Sequence, residues 1–438
     1  MSHLDRGVLL GLLSGEAGPQ EMEKAAEHLV SCERCRTLAG TLLEELRAAD
    51  SRFQVAPPLQ LVVALIERER QWGVESLAAI AEWSELRRLP RRSQRERVRI
   101  SKGCHTREFF SLVLGELKDE GVWEEAEFLA SLALLCIEAM NRREQIAPAS
   151  GHDLQAEVWT AVANSRRRAA EWKRAHQALA NAERLLKTGM GEPRLKAALL
   201  SIAASTLADQ GQMTEALDTL ERCKAIYQGL SEWALLARTL VKEANVLEPH
   251  DPAKGLEAVD RALPMIPAED SYLMLLATLL RTECLIGMGK PREALQVFRR
   301  CSHLLETNGK VRVEIRGKFI CAKLLDALGH KPQAERLFHE VIDRDIEHDL
   351  YKDAFLDLLY LYGHHVKAGD LEKAAAVCRR ALTDPSLSAV AHEEIRTLWG
   401  QLLEAARHQA ISQDLLRELR RYVSVHWKHP AGSPPWVG

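Results

Sequence analysis

No stretch of the chain approaches the ~20 consecutive apolar residues that a membrane-spanning helix needs. Nor does a basic segment precede an apolar one near the start, as a secretory leader requires. A soluble, intracellular, cytoplasmic protein is the resulting expectation. Charge of one sign is also lacking: over 438 residues the formal net charge is −3, so no global field draws the chain to nucleic acid or to a membrane surface. Any electrostatic partner must be argued locally. A disulfide framework is absent as well. Of nine cysteines only Cys32 and Cys35 lie close together, while Cys104, Cys136, Cys223, Cys284, Cys301, Cys321 and Cys378 are scattered singly. An odd number without paired spacing argues against a secreted scaffold, and most of the single thiols fall on apolar helical faces, where they act as small hydrophobes.

Catalytic signatures are missing too. There is no Gly-x-Ser-x-Gly elbow, no phosphate-cradling glycine loop and no His-Glu-x-x-His. His364 and His365 are neighbours late in a helical stretch, and adjacent helical positions diverge by about 100°, so they cannot chelate one ion together. Cys104-His105 has the residue types of a thiol and its base, yet sequence neighbours rarely align for proton transfer. The sequence predicts no enzyme.

What is present begins with His28-Leu29-Val30-Ser31-Cys32-Glu33-Arg34-Cys35-Arg36. Three metal-ligating side chains, His28, Cys32 and Cys35, follow at spacings of four and three, which on a helix stacks them along one face. No cysteine lies upstream, so the fourth ligand must be another residue type. His3 precedes an apolar segment, Leu4 to Leu13, that can fold back, and is the expected fourth ligand. Residues 1–50 read as a small helical unit: that segment, a turn from Gly15 to Pro19, then helices over Gln20 to His28 and Thr37 to Arg47. So short a unit buries too little surface to stand alone. A structural zinc ion, with an apparent binding energy of roughly 10–16 kcal/mol, remedies this and makes metal and fold inseparable. The bland alternative is two unrelated cysteines and a helical histidine.

The run from His3 through Leu9-Leu10, Leu13-Ser14-Gly15-Glu16, Glu21 and His28 to Arg36 resembles the zinc-binding anti-sigma domain of bacteria, with its His-x3-Cys-x2-Cys signature. In that family a cysteine near the N-terminus commonly supplies the remaining ligand; here His3 takes its place, and imidazole suits tetrahedral zinc as thiolate does. The resemblance covers only the first 45 residues or so. It implies that the helices around the zinc contact a sigma factor of the extracytoplasmic-function type and keep it from RNA polymerase.

Residues 51–107 read as a linker and lead-in helices. The linker spans 48–58 and ends in two prolines, the next helix starts near Pro58, and a break follows at Gly73. Leu86 to Arg107 carries eight Arg and one Lys against a single Glu. Lacking interleaved aromatics for base stacking, this stretch is read as a solvated face paired with acidic neighbours rather than a nucleic-acid footprint.

From Ser111 onward one pattern recurs: a turn residue, an alanine five later, then small or apolar residues at +4 and +7. Its copies are Gly121/Ala126/Ala130/Ala133, Ala170/Ala175/Leu179/Ala182, Gly211/Ala216/Leu220/Cys223, His250/Gly255/Val259/Ala262, Gly289/Ala294/Phe298/Cys301, Gly329/Ala334/Phe338/Val341 and Gly369/Ala374/Cys378/Ala381. The anchors are 49, 41, 39, 39, 40 and 40 residues apart. Positions i, i+4 and i+7 share a helical face, and a small residue there lets a second helix approach closely. Ala163, Ala204 and Ala322 stand twelve residues before their anchors, where such a crossing leaves little room. Each unit is thus a helical hairpin that needs its neighbours for a core. The pattern resembles the tetratricopeptide repeat, with a longer period and with that family's first-helix aromatics mostly missing. The predicted fold is all-α: a small zinc-bound helical domain (1–50), the linker and lead-in helices (51–107), a TPR-like α-solenoid with capping helices over Leu387 to Glu404 and Ile411 to Val425 (108–425), and an irregular tail (426–438).

Two functions follow as expectations. In the first, the chain is an anti-sigma-like regulator or adaptor that binds a sigma factor through its zinc domain and a second protein or peptide through its solenoid. In the second, the solenoid scaffolds an effector or protease complex and the zinc module is only structural. Redox sensing, by oxidation of Cys32 and Cys35 with loss of zinc, is a smaller third.

Overall fold

The structure is a computed structural model that describes residues 3–14, 16–18, 21, 22, 24, 25, 28, 29, 32–49, 76–119, 123–307, 311–348, 350–408, 419 and 423. Every regular element among them is helical, so the chain is all-α as expected. Backbone contacts divide it into two units, Met1–Leu112 and Val113–Gly438.

In the first unit, α1 (Arg6–Leu13) begins at Asp5, whose carboxylate accepts the Val8 N–H at 2.9 Å and satisfies one orphan donor of the first turn. Helical residues 21, 22, 24, 25, 28 and 29 follow, then α2 (Glu33–Ala49), which runs two residues into the expected linker. Leu9, Leu12 and Leu13 of α1 pack with Met22, Ala25 and Leu29 and with Cys35, Ala39, Leu42 and Leu43 of α2. The α2 members recur at the i, i+4, i+7, i+8 spacing of one buried stripe. Further along lie a helix over 76–87 (α3), α4 (Arg91–Ile100), a short 3-10 turn (Lys102–Cys104) and α5 (Arg107–Asp119). Trp83 meets Phe109 edge-on with ring centroids 6.1 Å apart. The rest of the linker, the lead-in helix before residue 76 and the Gly73 break lie outside the described residues.

The second unit is built of hairpins. After α6 (Trp123–Arg142), α7 (Pro148–Arg168) pairs with α8 (Trp172–Thr188), α9 (Pro193–Asp209) with α10 (Met213–Gly229), and α11 (Trp233–Leu247) with α12 (Pro252–Ala262). The series continues with α13 (Ser271–Gly287) and α14 (Pro291–Thr307), α15 (Val311–Ala327) and α16 (Lys331–Glu347), and α17 (Tyr351–Lys367) and α18 (Leu371–Thr383). All seven anchors are buried, as are Ala163, Ala204 and Ala322 opposite them. One copy carries glycine instead of alanine as its anchor. At Gly255 an added Cβ would stand 3.0 Å from Cys284 Sγ and 3.4 Å from the Ala244 carbonyl, so alanine fits there only if these neighbours give way by a few tenths of an ångström.

Among the six hairpin turns from Pro148 to Thr383, all but the one through His250 are closed by a left-handed residue. Gly211, Gly289, Gly329 and Gly369 have φ of +77°, +72°, +87° and +76°. The next N–H returns to a carbonyl five residues back, as in Gln212 to Leu207 and Asp370 to His365. This satisfies carbonyls that the helix end leaves bare. Ala170 makes the same turn at φ 54° without glycine, and Ser231 (φ 56°) repeats it between hairpins. The Gly121 turn lies outside the described residues.

One expected element is divided. The cap helix over Leu387 to Glu404 is two helices, α19 (Pro385–Val390) and α20 (Glu393–Arg407). The chain turns extended at Ala391, and the Arg396 guanidinium takes the Ala391 carbonyl at 2.8 and 3.0 Å, ending the first helix. Of the second cap helix, Ile411 to Val425, only Leu419 and Val423 are described, both buried in the terminal core with Trp399 and Leu402. The tail, with Trp436, lies outside the described residues. No helix among the described residues is long and apolar enough to cross a membrane.

Candidate metal centre

The four sequence-selected residues come together. The ligand atoms of His3, His28, Cys32 and Cys35 all lie within 4.8 Å of one another. His28 Nε2 is 3.3 Å from Cys35 Sγ, and His3 Nδ1 is 3.4 Å from Cys32 Sγ and 3.6 Å from Cys35 Sγ. A tetrahedral ion with M–S of about 2.3 Å and M–N of about 2.0–2.1 Å separates nitrogen and sulfur ligands by roughly 3.5 Å, so the cluster has the dimensions of such a site. Two imidazoles and two thiols are also the donor types a tetrahedral centre takes.

The helices expected over Gln20 to His28 and Thr37 to Arg47 leave both cysteines between them, and the structure starts the second one four residues earlier, at Glu33. His28 is helical and Cys35 lies in the first turn of α2, but Cys32 sits in the break before α2, with its N–H on the His28 carbonyl at 2.9 Å. A straight helix would set the three side chains in a row along one edge. The break lets them converge, which a tetrahedral ion requires. His3 arrives from the short non-helical segment ahead of α1, which the Asp5 cap and the Leu9, Leu12 and Leu13 contacts hold against α2.

Burial pushes the Cys35 thiol up from its ordinary range; the Leu4 backbone N–H beside it opposes this, and the neighbouring Cys32 reinforces it. A metal ion reverses such a balance by binding the thiolate. Leu4 is a contributor the sequence reading missed. Its role is a backbone N–H, which every non-proline residue has, so no side-chain signal marks it.

The other candidates resolve into structural roles. Cys104 Sγ donates to Glu82 Oε1 at 3.4 Å, and burial followed by the Glu82 charge pushes its thiol up to about 12. His105 is buried with Nε2 2.6 Å from the Val98 carbonyl. Each therefore faces its own partner. His364 Nδ1 lies 3.1 Å from Asp326 Oδ2, and His365 is buried, with its imidazole held below its ordinary pKa by desolvation. In the basic stretch Arg97 reaches Glu82 at 2.8 Å and Glu85 at 3.3 Å, and Arg87 covers the Trp83 ring at 5.7 Å. Acidic and aromatic neighbours from α3 thus occupy part of it.

The class these observations define is an all-helical protein with a TPR-like hairpin solenoid and an N-terminal His/Cys cluster able to hold a metal ion. No family model matches the chain, and no curated protein matches it. Among solved structures it is similar to the crystal structure of a Rap protein complexed with competence and sporulation factor, at 15% identity over 72% of this chain and 99% of that one, with a TM-score of 0.45.

Proposed function

We propose that the chain is a non-enzymatic, anti-sigma-like regulator or adaptor. Zinc held by His3, His28, Cys32 and Cys35 maintains the N-terminal module, which binds a sigma factor, and the solenoid takes a second protein or peptide. The convergence of the four ligand atoms supports this reading most strongly, because it matches the residue-level resemblance to the zinc-binding anti-sigma domain. Zinc serves structure here: it fixes the N-terminus, the segment around His28 and the start of α2, where without it a small apolar core and an exposed Arg6–Glu45 ion pair join three short helical pieces. A solenoid partner regulates sigma binding only if its own affinity differs between the sigma-bound and sigma-free chain.

The test is a pull-down of the sigma factors of the source organism with the intact chain and with a C32S/C35S variant. Retention by the intact chain and loss in the variant is the expected result. A folded, metal-loaded chain that retains no sigma factor removes the reading. The extent of the solenoid, from Pro148 to Thr383, favours a second reading in which the repeats scaffold an effector complex and the zinc module is only structural. Deleting residues 1–50 then leaves partner binding intact.

A further inference from the structure

The first helices of successive hairpins pack on one another, α7 on α9, α9 on α11, α11 on α13 and α13 on α15. Their side chains also reach past the nearest hairpin, which a curved array allows only on its inner side. Arg316 of α15 donates to Asn245 of α11 at 3.2 Å, passing over α13. Lys323 lies 3.7 Å from Glu248 at the end of α11. Lys352 of α17 stands 5.9 Å from the centroid of the Trp172 ring on α8, with four hairpins between them in the chain. The first helices therefore line a concave groove.

Most charges in this groove are matched within it. Arg167 meets Asp209 at 2.5 Å, Arg238 meets Asp270 at 2.9 Å, and Arg312 meets Asp353 at 2.7 Å. Glu283 is shared by Arg316 at 2.9 Å and Lys323 at 3.0 Å. Lys242 of α11 is different. Its ammonium donates to Ser201 Oγ at 2.7 Å and to the Ser201 carbonyl at 3.3 Å, both neutral acceptors. Among the described residues no carboxylate lies within ion-pair distance of it. Burial, with Arg167 and Arg238 adding to it and Asp209 opposing, brings the Lys242 amine down to about 8. An ammonium has three donors and Ser201 occupies two, so charge and hydrogen-bonding capacity are both left over. A partly desolvated cation without a counter-charge is costly unless a ligand supplies one.

We propose that Lys242, flanked by Arg167 and Arg238, forms an anion subsite in the concave groove that takes a carboxylate of a bound peptide segment. The subsite rests on the reading of the solenoid as a protein-binding surface and names the chemistry of what that surface accepts. Period and small-residue spacing carry no signal for it; the nearest one is a lysine on a first helix with no acid one turn away.

The experiment uses the intact chain and fluorescein-labelled hexapeptides read by anisotropy at low salt. The probes are C-terminally amidated hexaglutamate, amidated hexaglutamine, and hexaglutamine with a free C-terminal carboxylate. They are titrated against wild type, K242R, K242Q and K254Q, the last at an exposed lysine on α12 that pairs with Asp251. A carboxylate-bearing probe is expected to bind wild type, K254Q and K242R alike and K242Q about tenfold more weakly, while amidated hexaglutamine does not bind. Binding by hexaglutamate assigns the site to acidic side chains, and binding by free-terminus hexaglutamine assigns it to a chain end. Equal binding by K242Q and wild type, with both melting at the same temperature, overturns the subsite, as does wild type that binds no carboxylate probe. A chain that retains a sigma factor but ignores every probe leaves the proposed function standing and removes the subsite alone.

Discussion

Cys32 Sγ lies 3.4 Å from His3 Nδ1 across 29 residues of chain. Between these two residues run α1 and the helical residues that lead to His28. An ion bridging them closes that loop and removes its closure entropy from the unfolded chain, in addition to the binding energy itself.

Chelation is expected to unfold the N-terminal module and to spare the solenoid. The measurement is amide hydrogen exchange with and without a zinc chelator. Protection within Arg6–Leu13 and Glu33–Ala49 falls to the level of an unfolded chain, while the helices from Pro148 to Thr383 keep theirs. The lost free energy, roughly 10 kcal/mol or more for a structural site, exceeds what three short apolar segments supply.

Two glycines in one hairpin are expected to respond in opposite directions to alanine. Gly369 closes the turn at φ +76°, so G369A forces a side chain into the left-handed region and costs about 1–2 kcal/mol. Gly363 lies inside α17 with open space where a Cβ would sit, so G363A gains about 0.5–1 kcal/mol of helix propensity. Chemical denaturation of the two variants checks both signs.

The contribution of the Asp345 and Asp357 pair to solenoid stability is expected to fall as pH rises from about 4 towards about 8, against the opposite trend of the buried His365. Asp345 is 1% exposed, and burial followed by the Asp353 charge pushes its carboxyl up to about 8; burial and the Asp345 charge also raise its neighbour Asp357. Arg312 pulls Asp345 down and Lys323 pulls Asp357 down, without cancelling the rise. A carboxyl raised in the folded state binds a proton that the unfolded chain releases, so its contribution is complete below the unfolded pKa and is lost as pH climbs to the folded one. The slope is at most about 1.4 kcal/mol per pH unit for one proton. D357N is expected to flatten this slope when thermal melts are compared across that range.

Cys104 is expected to resist alkylation. With its thiol pushed up to about 12 and its hydrogen on Glu82, native protein treated with iodoacetamide at pH 8 should show no adduct there by peptide mass spectrometry. Rapid labelling of Cys104 reopens the thiol and base pairing with His105.

The hairpins were legible because their signal is local. Small anchors at Ala126, Ala175, Ala216, Ala294, Ala334 and Ala374 recur with the period of the fold, and all are buried. The convergence of a His/Cys cluster was legible because ligand chemistry restricts residue type, which left His3 as the candidate to join His28, Cys32 and Cys35. What escaped depends on geometry that no spacing encodes. The break at Ala391 is held by Arg396 reaching back to a carbonyl, and α2 starts at Glu33 rather than Thr37, which puts Cys35 in its first turn. Lys352 meets Trp172 only because small rotations between hairpins accumulate into a groove, and a repeat period identifies each hairpin's neighbours without giving the angle between them.

The central claim is that His3, His28, Cys32 and Cys35 together hold one metal ion. The direct measurement is elemental mass spectrometry of the purified chain after exhaustive dialysis, comparing wild type with C32S/C35S and with H3A. The account expects one zinc ion per wild-type chain, almost none in the double cysteine variant, and reduced retention in H3A. Wild-type protein that carries no metal after zinc reconstitution, or a double variant that keeps as much zinc as wild type, contradicts it.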